Sequence, residues 1–163
     1  MEKPGKRPRL KSFDYYGSHC YFVTLCTHRK LPVFVDSELV GHLKEALRQK
    51  TVEHDFALWA YCFMPDHLHL LIQGKSADTD FRSFVKFFKQ KTGFQYKRST
   101  NRSLWQPSYY DHVLRMDESI SDVARYIFEN PVRKGLVEHF LDYPHSGSGE
   151  FDLEDFEAYG GRR

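Results

Sequence analysis

The fold of this chain is decided by residues 56–73, which read FALWAYCFMPDHLHLLIQ. Residues 56–63 form an apolar and aromatic run, and residues 67–73 form a second run in which imidazole and aliphatic side chains alternate. Met64-Pro65-Asp66, between them, has the composition of a tight turn. Two strand-like runs joined in this way predict an antiparallel β-hairpin.

Working outward from the hairpin, periodicity and capping residues predict the remaining elements. They are a strand at 19–27, a helix from Asp36 or Ser37 to about Lys50, a helix from Thr79 to about Lys97, an extended segment at 104–115, and a helix that is capped by Asp117 or Ser119 and ends at Asn130-Pro131. The order β-α-β-β-α-β predicts an α+β protein of the ferredoxin-like split β-α-β type. We expect an antiparallel sheet with helices on one face, an open second face and an extra C-terminal helix.

The length of 163 residues and the 40% hydrophobic content suit one domain with its own core. The ends differ from it in charge: Lys3, Lys6, Arg7, Arg9 and Lys11 crowd the start, and Glu150, Asp152, Glu154, Asp155 and Glu157 make the end acidic. The sequence therefore predicts a basic N-terminal arm at 1–12, a domain at 13–143 and a flexible, loosely attached acidic tail at 144–163.

The three cysteines, Cys20, Cys26 and Cys62, contain no CxxC pair and suggest neither a disulfide framework nor a thiolate zinc site. No stretch approaches the roughly 20 apolar residues of a membrane span. These features predict a soluble protein of the reducing cytoplasm, without a membrane partner.

Residues 81–110 contain no Asp or Glu. Their cations alternate with rings, the cations being Arg82, Lys86, Lys89, Lys91, Lys97, Arg98 and Arg102 and the rings including Phe84, Phe87, Phe88, Phe94, Tyr96 and Trp105. Such a mixture is typical of single-strand binding, in which lysines follow phosphates and rings stack on bases. For this segment taken alone, the preferred interpretation is a solvated helix face above a phenylalanine core.

His67 and His69 share a strand face, because side chains at i and i+2 point the same way. Two imidazoles at this spacing can chelate one divalent cation and leave most of its coordination positions open, as a catalytic site requires. Taken alone, His-x-His is more often a pair of polar residues on a wet strand.

Tyr126 and Asn130 lie one turn apart on the same flank of the last predicted helix. Asn130 is a candidate third, oxygen ligand, and a nitrogen and oxygen donor set suits Mg²⁺ or Mn²⁺. Taken alone, Tyr126 would be a tyrosine at the core margin and Asn130 a residue that ends a helix.

These motifs together resemble a known family. Residues 64–71, MPDHLHLL, resemble the His-hydrophobic-His motif of HUH single-tyrosine transposases. The segments LWQ at 104–106, YYDHVLR at 109–115 and ARYIFENPVRKGLV at 124–137 are similar to the REP-associated members of the insertion-sequence-200-like superfamily, as are YFVTLCTHR at 21–29 and PVF at 32–34. The resemblance covers about residues 13–137.

The resemblance implies that His67 and His69 bind Mg²⁺ or Mn²⁺ and that Tyr126 is the nucleophile. Asn130 stands where insertion-sequence relatives more often carry glutamine, and this leaves the third ligand open. The resemblance also implies a DNA endonuclease and strand transferase that acts on single-stranded or hairpin DNA, such as REP-like palindromes. The reaction would pass through a 5′-phosphotyrosine. Further expected DNA contacts are Lys6, Arg7, Arg9, Lys86, Lys89, Lys97, Arg98, Arg115 and Arg125. Both a monomer and a homodimer are compatible with the resemblance.

Two other classes fit parts of the sequence. A non-catalytic nucleic-acid-binding module could use the same architecture, with aromatic residues on an open sheet. A structural zinc protein would need more than the two well-placed ligands that the sequence shows.

Overall fold

The computed structural model describes residues 12–160. Its centre is an antiparallel five-stranded sheet with the strand order β4-β1-β3-β2-β5. The strands are β1 (Cys20–Cys26), β2 (Phe56–Met64), β3 (His67–Gly74), β4 (Tyr110–Val113) and β5 (Ser146–Gly147). The predicted α+β class, the hairpin of β2 and β3 and the element order up to the tyrosine helix are confirmed.

Five α-helices accompany the sheet within the described residues: α1 (Ser37–Glu53), α2 (Phe81–Thr100), α3 (Ile120–Phe128), α4 (Asn130–Arg133) and α5 (Leu153–Gly160). Each long helix begins where a side chain accepts hydrogen bonds from the first backbone N–H groups. The capping residues are Asp36 for α1, Asp80 for α2 and Ser119 for α3. Three short 3-10 turns, His28–Lys30, Val33–Val35 and Phe140–Asp142, were not expected from the sequence.

Helices α1 and α2 cover one face of the sheet. The side chains of β1 and β3 that point to this face, among them Tyr21, Val23, Leu68 and Leu70, are fully or almost fully buried in the same core as Phe81, Phe84 and Phe88 of α2. Strand alternation therefore leaves His67 and His69 on the opposite face, as the sequence predicted.

The opposite face is only partly open, which differs from the open face that the sequence suggested. Helix α3 places Val123, Ala124, Ile127 and Phe128 on Ala60, Cys62 and Leu71 of the sheet. The physical reason is that an apolar stripe as marked as that of α3 must be buried somewhere, and the first face is already occupied. The part of this face that α3 leaves uncovered is formed by β1, by β4 and by the start of β3.

The acidic tail also differs from the prediction of a loose appendage. Residues 144–160 add β5 to the edge of the sheet and then α5, and Phe151 and Phe156 pack on Phe128. Glu150 accepts a hydrogen bond from the backbone N–H of Leu58 at 3.2 Å. The sequence prediction relied on charge and missed the spaced aromatic residues within the acidic run.

Two segments have other bounds than predicted. Of the expected extended segment at 104–115, only β4 pairs regularly, while Trp105 forms an isolated bridge with Thr27. Helix α2 continues three residues beyond Lys97, to Thr100, and the Trp105 indole N–H donates to the hydroxyl of Thr92 on this helix.

The three cysteines are buried and free of disulfides. Burial raises the pKa of the Cys20 and Cys62 thiols to about 12. In residues 12–160, no helix combines the length and the apolarity that a membrane span needs.

Candidate active site

His67 and His69 face each other at the start of β3. Their rings are 4.6 Å apart at an angle of 75°, and the two Nε2 atoms are separated by 3.2 Å. His69 is buried, with 4% of its surface exposed, whereas one fifth of the His67 side chain is exposed. The pair is thus partly sheltered and open to solvent on the His67 side.

The other ring nitrogen of each histidine has a partner. Asp66 Oδ1 lies 2.6 Å from His67 Nδ1, and Thr24 Oγ1 lies 2.9 Å from His69 Nδ1. Because a carboxylate only accepts, this hydrogen bond places a proton on His67 Nδ1, and in the neutral ring Nε2 is then the nitrogen that can bind a metal. The Thr24 hydroxyl can accept in the same way, and the register that pairs Thr24 with His69 places it there.

The backbone of the turn that carries Asp66 is held by hydrogen bonds from outside the hairpin. Thr27 donates to the Asp66 carbonyl oxygen through its backbone N–H and its hydroxyl, both at 3.0 Å. Phe34 donates to the Pro65 carbonyl oxygen at 3.1 Å. Two segments outside the hairpin therefore fix the turn from which His67 emerges.

The imidazole pair fits a divalent cation. Two nitrogen ligands at ~2.1 Å from one cation and at a right angle would lie about 3.0 Å apart, close to the observed separation of the Nε2 atoms. Orientation of ligand histidines by a carboxylate or hydroxyl at the other nitrogen is typical of metal sites. Within residues 12–160, however, no cluster of three or more His, Cys, Asp and Glu side chains could hold a metal. Further ligands would have to come from an amide, water or the substrate.

Tyr126, on α3, enters the same cleft. The Phe22 ring on β1 lies 5.2 Å from the His69 ring and 6.1 Å from the Tyr126 ring, which it meets edge to face. Asn130, 6% exposed, lines the cleft at the start of α4. The structure therefore brings together all four residues that the sequence proposed for the centre: His67, His69, Tyr126 and Asn130.

The cleft has a volume of about 1000 Å³ and is lined on one side by the sheet and on the other by α3 and α4. Among the described residues, its cationic lining consists of Lys30, Arg133 and Lys134. Sequence reasoning missed these three as site residues. For Arg133 a signal existed: it follows Tyr126 by seven residues, nearly two helical turns, and so returns to the same helix face.

Lys30 reaches the cleft from a strained turn. Arg29 and Lys30 have φ angles of 55° and 52°, in the left-handed region that residues with a Cβ rarely adopt. Such conformations concentrate at functional sites, where surrounding contacts hold them. The strain here is consistent with a ligand-facing turn.

Within residues 12–160, the lysines and arginines that the sequence suggested as DNA contacts do not line this cleft. Lys6, Arg7 and Arg9 lie outside the described residues. Lys86, Lys97 and Arg98 are on α2, on the other side of the sheet, and the Lys89 ammonium donates to the Gln106 and Pro107 carbonyl oxygens at 2.7 and 3.1 Å. The structure brings none of these described lysines and arginines into the cleft lining.

Arg115 and Arg125 also lie outside the cleft lining. The Arg125 guanidinium lies 5.0 Å from the Phe156 ring centre of α5 and 3.7 Å from the Glu129 carboxylate. Arg115 follows β4, and its backbone N–H donates to Glu118 at 2.6 Å. Arg125 is thus engaged with the tail helix.

A second histidine, His112, lines the β4 side of the cleft and is paired with the Glu118 carboxylate. His112 Nε2 is 2.8 Å from Glu118 Oε1, and His112 pairs across the sheet with Phe22. Burial acts to raise the pKa of Glu118, but hydrogen bonds from the Arg115 N–H and from His112 lower it overall. Glu118 therefore stays ionised and fixes the His112 ring.

Comparisons with known proteins show the family of this chain. Residues 15–130 match the family model described as "Transposase IS200 like". A Haemophilus influenzae protein named "Putative REP-associated tyrosine transposase" is 26% identical over 144 residues, which cover 82% of this chain and 81% of that protein. The REP-associated tyrosine transposase of Escherichia coli K12 is 27% identical over 108 residues, covering 64% and 61% of the two chains.

The fold is similar to that of a solved REP-associated tyrosine transposase bound to a REP hairpin. The TM-score is 0.68 at 24% identity, and the match covers 84% of this chain and 81% of that chain. At this identity the likeness shows a common fold.

Proposed function

The chain belongs to the family of IS200-like transposases, and from this premise we propose that it cuts and rejoins single-stranded DNA with Tyr126 as a covalent nucleophile. The substrate we propose is a DNA hairpin of the REP type with its flanking single strand, since a fold neighbour is bound to such a hairpin. The reaction class is transesterification at a phosphodiester.

One observation carries this proposal: the phenol of α3 and the imidazole pair of β3 line one cleft within one chain, and Phe22 contacts both. Tyr126 and His67 are separated by 59 positions, so only the fold brings them together. If Tyr126 were only a core-margin residue and the histidines only polar residues on a solvated strand, their shared position in a cleft lined by cations would not be expected.

The chemistry is a balanced exchange of ester bonds. The Tyr126 oxygen attacks the phosphorus, the bond from phosphorus to the 3′ oxygen breaks, and the phenol proton leaves to solvent while the departing 3′ oxygen gains one. A 5′-phosphotyrosine and a 3′ hydroxyl result. A 3′ hydroxyl of another strand can then attack the phosphotyrosine and release Tyr126, so rejoining requires no nucleotide cofactor.

We also propose His67 and His69 as ligands of Mg²⁺ or Mn²⁺, with Asn130 as the candidate oxygen ligand. A divalent ion bound there would neutralise charge on the phosphate and make the phosphorus more electrophilic. Asp66 and Thr24 would keep both imidazoles in the orientation that binding requires.

The DNA would meet two surfaces. In the cleft, Lys30, Arg133 and Lys134 would contact the phosphates of the strand being cut. On the far side of the sheet, α2 exposes Phe87 and Phe94 with Lys86 and Arg98 over their rings, at 5.6 and 5.8 Å from the ring centres. This cation and ring pattern suits a neighbouring part of the hairpin.

The test is incubation of the protein with 5′-labelled and 3′-labelled hairpin DNA and Mn²⁺, followed by denaturing gels. Tyr126→Phe should abolish the covalent adduct, with a loss of at least about 10³-fold, because no oxygen nucleophile remains. Tyr159→Phe is the matched control, since Tyr159 is 81% exposed on α5, and it should react like the parent. Equal cleavage by Tyr126→Phe would overturn the proposal.

The same experiment separates the rival function. A non-catalytic binding module would retain hairpin DNA in native gels, yield no adduct, and bind equally well in the presence of a chelator. Adduct formation that the chelator stops would exclude that alternative.

A further inference from the structure

Arg133 makes two contacts with the Tyr126 residue. Its guanidinium carbon lies 4.0 Å from the centre of the phenol ring, and its Nη2 donates to the Tyr126 carbonyl oxygen at 2.6 Å. A guanidinium at this distance over a ring is in cation–π contact. One side chain thus touches the reactive residue through both its ring and its backbone.

The path of the chain explains why Arg133 reaches Tyr126. Helix α3 ends at Phe128, Glu129 stays near helical geometry, and α4 continues to Arg133, so the seven-residue spacing returns nearly to the same face. Carbonyl groups in the last turn of a helix commonly accept hydrogen bonds from side chains, because few backbone N–H groups follow them. The Arg133 side chain donates to the Tyr126 carbonyl oxygen in this way.

The position of Arg133 is also fixed from its other side. Its backbone N–H donates to the Glu129 carbonyl oxygen at 2.9 Å, and Gly135, at φ 70°, turns the chain immediately afterwards. The phenol ring therefore has two neighbours: the Phe22 ring from the sheet, perpendicular to it, and the guanidinium from α4.

Arg133 remains exposed although it makes these contacts, and it lines the cleft. A guanidinium has five N–H donors, and the contact with the Tyr126 carbonyl uses one of them. Burial raises the pKa of the nearby Cys62 thiol, and the charge of Arg133 acts against that rise. The positive charge is thus felt on the sheet side of the cleft as well.

We propose that Arg133 is a positioning residue for Tyr126, which fixes the phenol ring for attack and offers its outer N–H groups to the phosphate that Tyr126 receives. This inference rests on the proposed function, and it deepens it by assigning a residue that sequence reasoning left without a role. Lysine cannot replace arginine here, because an ammonium has no plane to lie on the ring and no fork to bind a phosphate while holding a carbonyl.

The first measurement is the rate of adduct formation in single turnover at saturating hairpin DNA, with the dissociation constant measured separately. Arg133→Ala and Arg133→Lys should both slow the rate by about 10- to 100-fold, since small misplacement of a reacting group has effects of this size. The loss of DNA affinity should be the smaller effect, and the lysine variant should not rescue the rate. Rates within twofold of the parent for Arg133→Ala would overturn the inference.

The second measurement does not depend on DNA cleavage. With 3-fluorotyrosine in place of Tyr126, the ¹⁹F signal of the DNA-free protein should shift or broaden in Arg133→Ala and Arg133→Lys, because the ring loses the guanidinium. A parent without any adduct would refute the proposed function, and the ¹⁹F signal would then decide the positioning role alone. An unchanged ¹⁹F signal in both variants would refute the positioning role of Arg133. Since Arg133 is exposed, its variants should fold, which circular dichroism verifies.

Discussion

His67 illustrates how much of this site depends on single neighbours. The Asp66 carboxylate at 2.6 Å from Nδ1 selects the tautomer of the ring, and Thr27 fixes the backbone of Asp66. Thr27 is only 1% exposed, and its hydroxyl also lies 2.9 Å from the Leu31 carbonyl oxygen, so that its one proton is shared between two acceptors. Asp66 thus orients His67, and Thr27 in turn positions Asp66.

Asp66→Asn should weaken binding of Mn²⁺ to the DNA-free protein by about 10- to 100-fold, which is the usual effect of losing a carboxylate behind a ligand histidine. Isothermal titration calorimetry measures this affinity without any reaction. Asp78→Asn is the control, because Asp78 is an exposed aspartate in the loop after β3. Equal Mn²⁺ affinity in the two variants would show that Asp66 does not orient a metal ligand.

Sequence patterns indicated the four residues that we propose for the centre, but not their surroundings. The i, i+2 spacing of His67 and His69 and the i, i+4 spacing of Tyr126 and Asn130 are local and readable from the chain. Thr24 depends on the register between β1 and β3, and Lys30 depends on a strained turn. Cross-strand register is set by the packed sheet, so the sequence alone gives no direct sign of such neighbours.

At the scale of the elements, α2 owes its start to Asp80. The Asp80 carboxylate accepts from the Ser83 backbone N–H at 3.2 Å and from the Ser83 hydroxyl at 2.7 Å. Burial acts to raise the pKa of Asp80, but hydrogen bonds from Ser83, the Tyr16 side chain and the Arg82 N–H lower it overall. The cap thus favours the ionised carboxylate.

Asp80→Ala should reduce the free energy of unfolding by about 1 kcal/mol at pH 7 through loss of the cap. Because the pKa of Asp80 is lowered in the folded state, its ionic contribution is complete above the ordinary aspartate pKa of about 3.9 and disappears as the pH falls through the folded-state value. Urea unfolding at pH 7 and at pH 2 should therefore show a smaller difference between variant and parent at low pH. Asp78→Ala is the control, and a difference that grows in acid would contradict this assignment.

The boundaries of α2 show where element prediction failed. The sequence predicted an end at about Lys97, yet the helix continues to Thr100. Trp105 Nε1 donates to the Thr92 hydroxyl at 2.8 Å, and both groups are buried. This tertiary contact ties the second half of α2 to the segment after it, and local periodicity does not reveal it.

At the scale of the whole molecule, the acidic tail is part of the fold. Phe156 lies 5.2 Å from the Phe128 ring and 5.2 Å from the Phe151 ring, while His139 and Glu157 are joined at 2.7 Å. The tail therefore supports α3, the helix that carries Tyr126, from behind. The acidic charge of the tail also predicts that it weakens DNA binding, which affinity measurements at low salt on a chain truncated after Tyr143 would test.

Phe156→Ala should lower the free energy of unfolding by about 2 kcal/mol, less than for a fully buried phenylalanine, because its side chain is half-buried. Tyr159→Ala, on the same helix but 81% exposed, should change it by no more than about 0.5 kcal/mol. Urea denaturation compares the two. Equal effects would mean that α5 does not pack on the domain.

We propose that the phenol of Tyr126 and the imidazoles of His67 and His69 form one metal-dependent centre within a single chain. The anomalous signal of a crystal soaked with Mn²⁺ tests this. We expect one peak within bonding distance of Nε2 of both His67 and His69, in the cleft that Tyr126 of the same chain lines. A crystal that shows no peak at the imidazole pair, or in which Tyr126 points out of this cleft, would contradict it.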